Sequence, residues 1–126
     1  MIMGTHILFY SGKPEADRAF LRDVLGFKSV DAGGGWLIFA FPPAEAAVHP
    51  IDGGTREQTQ GVMLEADIYL MCDDLEAEMK KLKAKKVTCS PVETARWGMK
   101  TSLRLPSGGE LGLYQPMHPV AIDMKS

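Results

Sequence analysis

Two alternating runs on either side of one proline-glycine turn constrain this chain more than any other feature. Residues 100–105 set Thr101, Leu103 and Leu105 on one face and Ser102 and Arg104 on the other. Pro106-Ser107-Gly108-Gly109 is turn chemistry, because proline presets φ and glycine accepts positive φ. Residues 110–114 alternate again and Pro116 stops the run. The pattern predicts a β-hairpin in which a period of two puts Glu110, Gly112 and Tyr114 on one side.

The rest of the chain divides into two similar halves. His6–Tyr10 reads as a strand, Pro14 suits the first turn of a helix, and Ala16, Ala19, Phe20 and Val24 recur at helical spacing up to the stop at Gly26. Strands are expected near Phe27–Val30, over Trp36–Phe41 after the turn Gly33-Gly34-Gly35, and over Ala44–His49. In the second half, Asp67–Cys72 is a strand, and Asp73-Asp74 offers caps to a helix carrying Leu75, Met79 and Leu82. Val87–Ser90 and the hairpin follow. Each half therefore has the order β-α-β-β-β, a repeat of element order with little residue identity. The expected fold is α+β: one domain over 1–126, built of two βαβββ modules at 5–50 and 67–116, a connector at 51–66 and a tail at 117–126. The polar stretch 51–64 reads either as a linker or as a lid over a pocket.

Composition excludes several classes. A chain of 126 residues with 45% hydrophobic and 24% charged residues suits one soluble globular domain. The net charge of −2 argues against nucleic acid, and the lysines from Lys80 to Lys86 read as a solvated late-helix face. No apolar run is long enough for a membrane span and Met1–Thr5 does not resemble a signal peptide. Cys72 and Cys89 are too few and too far apart for a disulfide framework or zinc site, so a reduced, cytoplasmic protein is expected.

Several stretches resemble the vicinal oxygen chelate superfamily of glyoxalase I, bleomycin and fosfomycin resistance proteins and extradiol dioxygenases. They are Asp17-Arg18-Ala19-Phe20-Leu21-Arg22-Asp23-Val24-Leu25-Gly26-Phe27, Gly35-Trp36-Leu37-Ile38-Phe39, Asp73-Asp74-Leu75 and the hairpin after Trp97-Gly98. The resemblance spans roughly residues 5–118 and implies paired sheets curled into an open, cup-shaped mixed sheet. It also implies a homodimer.

Metal sites of that superfamily take His or Glu from four inward strands, a set suited to Ni²⁺, Zn²⁺, Mn²⁺ or Fe²⁺. Carried across, the positions fall on His6, on Asp67 where histidine is usual, near Ala46 or Ala47, and on Gly112, which cannot ligate. Glu110 points the same way as Gly112 and is the one substitute. His6, Asp67 and Glu110 are therefore the candidate catalytic residues, and the metal ligands if a metal is present. The incomplete set favours a cup without a cofactor that binds a small, partly apolar or aromatic molecule. Tyr69, Met71, Trp97, Tyr114 and His49 are its candidate contacts. Core packing for the tyrosines, loop anchoring for Trp97 and a rim role for His49 are the plainer alternatives. The competing reading is a metal-dependent lyase or extradiol dioxygenase acting on vicinal oxygens. A base among these residues working without metal stands between the two.

Overall fold

The computed structural model describes residues 1, 3–50, 61 and 63–123. Helix α1 (Pro14–Asp23) opens on proline, where a missing N–H costs nothing, and carries Glu15 and Asp17 at its positive end. Gly26, at φ +74°, turns the chain after it. A short antiparallel pair follows, β1 (Ser29–Asp31) with β2 (Leu37–Phe39). Its turn uses Gly33, Gly34 and Gly35, all at positive φ, and Asp31 Oδ1 accepts the Gly33 N–H at 2.7 Å.

The second half is more extensively paired. Strands β3 (Tyr69–Met71), β4 (Glu93–Ala95), β5 (Gly98–Arg104) and β6 (Glu110–Pro116) form one sheet in the order β3-β6-β5-β4. β6 runs parallel to β3 and antiparallel to β5, so the sheet is mixed. Between β3 and β4 lies α2 (Leu75–Ala84), capped by the Asp74 carboxylate, which accepts the Ala77 N–H at 3.1 Å. The Gln115 side chain holds the same end of α2 to β6 by accepting the Leu75 N–H at 3.0 Å.

The hairpin alternation appears as burial. Thr101, Leu103, Leu105, Leu111 and Leu113 are buried beneath the helices, while Arg104 and Glu110 face away and are exposed. Among the described residues the core comprises Phe20 and Leu21 of α1, Leu75 and Leu82 of α2, and Leu103, Leu105, Leu111 and Leu113. A hydrogen bond from the Ser107 N–H to Asp17 Oδ1, 3.0 Å, ties α1 to the hairpin turn. Gly98 is required where β5 meets β6, because a Cβ there would run into the Gln115 carbonyl oxygen.

Three expected strands differ. His6–Tyr10 and Ala44–His49 form no ladder among the described residues. Alternation is a local property, whereas a strand needs a neighbour with free N–H and C=O groups, and the described residues bring none to either stretch. Leu8 and Tyr10 are accordingly 64% and 91% exposed. Val87–Ser90 is reduced to a bridge between Cys89 and Leu103, and β4 was not anticipated. The lid reading of the connector falls on 51–60 and 62, which lie outside the described residues.

Candidate functional site

The sheet face opposite the helices carries the candidate site. Direct register opposes Tyr69 to Gly112 and Met71 to Tyr114 across β3 and β6, and Lys100 to Tyr114 across β5 and β6. With no side chain at Gly112, the Tyr69 ring lies over that glycine: a Cβ there would sit 2.7 Å from Tyr69 Cγ and closer to Cδ1. Tyr69 meets Tyr114 edge-on at 5.7 Å between centroids, and Trp97 meets Tyr114 edge-on at 5.6 Å. These are favourable quadrupolar arrangements, and they leave Tyr69 and Trp97 more than a third exposed.

Polar groups surround the rings. Lys100 Nζ lies 5.7 Å from the Tyr69 centroid and 5.5 Å from that of Trp97. It donates to the Tyr69 hydroxyl at 3.4 Å and pairs with Glu93 at 3.5 Å. Partial burial disfavours its charge, but Tyr69 and Glu93 outweigh that and hold its pKa above the usual lysine value. Burial raises the Tyr114 phenol pKa, helped by the nearby Glu45 carboxylate. His118 Nδ1 is 2.7 Å from the Pro119 carbonyl, which can only accept, so Nδ1 carries the proton. In the neutral ring Nε2 then accepts from the Tyr114 hydroxyl at 3.2 Å.

Beside the rings lies a cleft of about 370 Å³ lined by Phe9, Asp67, Tyr69, Ser102, Glu110 and Gly112, among others. The structure thus brings Asp67, Glu110 and Tyr69 to one cleft and sets Trp97 and Tyr114 next to it. His6 and His49 are exposed and neither lines the cleft. Met71 lines a separate cavity of about 380 Å³ with Leu25, Phe27, Pro42 and Leu70. Lys100, Ser102, Phe9 and His118 join the site without having been singled out for it. The sequence signal for Lys100 and Ser102 was their alternation with buried Thr101 and Leu103, which places both on the face of Tyr114.

Among the described residues no three His, Cys, Asp or Glu side chains converge. The space above Gly112, the position that the resemblance reads as a last-strand ligand's, holds the Tyr69 ring. No helix among the described residues is long and apolar enough to cross a membrane. The two cysteines are free thiols, and burial raises the pKa of both.

No family model matches the sequence, and no curated protein matches it. Solved structures do. TnmS3, an antibiotic binding protein from Streptomyces sp. CB03234, is similar at TM-score 0.58 and 20% identity, over 92% of this chain and 98% of that one. A lactoylglutathione lyase from Agrobacterium tumefaciens is similar at TM-score 0.53 and 18% identity, over 91% and 92%. A glyoxalase/bleomycin resistance protein from Streptomyces sp. CB03234 is similar at TM-score 0.50 and 20% identity, over 83% and 92%. With two helices against a mixed sheet, this chain has the glyoxalase/bleomycin resistance fold expected from its vicinal oxygen chelate resemblance.

Proposed function

We propose that this protein binds a small, partly apolar or aromatic molecule on the open face of its mixed sheet, without a metal. The observation that carries this reading is the edge-to-face set Tyr69, Tyr114 and Trp97, partly exposed beside a cleft of ligand-sized volume. Rings held edge-on by their neighbours offer apolar area at little further loss of side-chain freedom. Lys100, the Tyr114 hydroxyl and Ser102 supply polar groups that orient a ligand. The fold likeness to an antibiotic binding protein supports binding as the task. The working unit is a homodimer in the cytoplasm, a second copy covering apolar residues such as Leu8, Tyr10 and Val48 that this chain leaves 64%, 91% and 98% exposed.

Titration calorimetry of metal-stripped protein with a panel of bicyclic aromatics tests the reading. Binding that is saturable and weakened by Trp97→Ala is expected. Stoichiometric metal in the purified protein, lost in Asp67→Asn or Glu110→Gln, would overturn it.

A further inference from the structure

The geometry points to the Gly112–Tyr69 pair as the determinant of what the cup accepts. Glycine at 112 makes room for a ring, and that ring turns a ligand-donating position into a flat floor. This inference rests on the binding function proposed above.

Backbone conformation does not explain the glycine, since Gly112 is not among the residues at positive φ. Glycine within a strand is also unfavourable, because it exposes backbone and packs nothing. Here the exposure is removed: Gly112 is buried although it lies on the open face, with Tyr69 directly across the parallel ladder and its ring over the missing side chain. The clash that any Cβ would create reaches Cγ, at the root of the ring. Rotation of the ring tip cannot relieve it, so the whole ring must leave. Its departure would also break the edge contact to Tyr114 and the Lys100 hydrogen bond. Residue 112 thus controls Tyr69, and Tyr69 forms one wall of the cleft. A cup floored this way takes a planar ring laid against Tyr69, in place of a pair of oxygens held by a metal.

The test is a double-mutant cycle over Gly112→Ala and Tyr69→Ala, read by melting temperature, near-ultraviolet circular dichroism and 2-naphthol affinity. Alone, Gly112→Ala is expected to lower the midpoint by roughly 5 °C, as overpacking does, and to alter the tyrosine signal. It should weaken 2-naphthol about tenfold, the scale of one lost aromatic contact. In the Tyr69→Ala background the same substitution should shift the midpoint by less than about 1 °C and leave affinity unchanged. Tyr69→Phe, which keeps the ring, should restore the sensitivity. Equal losses in both backgrounds, or a Gly112→Ala protein indistinguishable from the native one, overturn the inference. A native protein that does not bind 2-naphthol counts against the binding function, while the paired melting curves still decide whether residue 112 seats the ring.

Discussion

Residues 5–50 and 67–116 carry the same expected order of elements, yet they fold to different degrees of closure. The second stretch supplies Leu75, Leu82, Leu103, Leu105, Leu111 and Leu113 to the core, against Phe20 and Leu21 from the first. It also builds a four-stranded sheet, where the first builds a three-residue pair. Apolar content does not explain this, because Leu8, Tyr10, Val30 and Trp36 are all present in the first stretch and all exposed. The difference lies in what each strand finds beside it. β6 has a partner on both edges, and its side chains are covered on one face by helices. The first stretch leaves apolar side chains such as Leu8 and Tyr10 that no surface among the described residues covers.

That contrast can be broken in several ways. Leu103→Ala, at a side chain with no exposed area, should cost about 2–5 kcal/mol in chemical denaturation, with the far-ultraviolet spectrum lost at lower denaturant. A loss as small as that of a surface change would mean the second half is not the stable one. Gly98→Ala pushes a methyl group into the Gln115 carbonyl and should cost about 1–3 kcal/mol by the same measurement. Asp17→Ala removes the bond from α1 to the hairpin turn and should cost about 1 kcal/mol. Hydrogen exchange should then rise over residues 14–23 while β5 and β6 stay protected. Leu8→Ser with Tyr10→Ser should move stability of dilute protein by less than about 0.5 kcal/mol, as surface changes do. In sedimentation the same pair should raise the monomer fraction, and unaltered association would show that a second copy does not cover this stretch.

Features set by near neighbours in the chain are legible in the sequence alone. Asp74 as a helix cap, Pro14 at a helix start, Gly26 as a stop and the two faces of the hairpin each follow from a few adjacent residues. The same local rules over-read 6–10 and 44–49, because alternation says which side faces out without naming a partner. The site was legible in part. Glu110, Gly112 and Tyr114 were placed on one face by period alone, and Tyr69 on the face of Asp67. That these were the same face depended on parallel pairing of β3 with β6, a contact between residues 43 apart such as Tyr69 and Gly112. Gly112 was read as a missing donor. The signal for its other role was a glycine inside a strand, which marks close approach of another group. His118 lies in the stretch assigned to the tail, and only the structure shows its side chain meeting that of Tyr114.

The position of β6 at the middle of its sheet has a consequence for biosynthesis. Among the described residues β3 has β6 as its sole strand partner, and β6 is the last strand in chain order. As the polypeptide leaves the ribosome, β3 must therefore wait about 40 residues, or several seconds at ordinary elongation rates, with its ladder groups unmatched. Ribosome-stalled chains ending before residue 110 should accordingly be protease-sensitive through 69–71, and chains extended well past 116 should not.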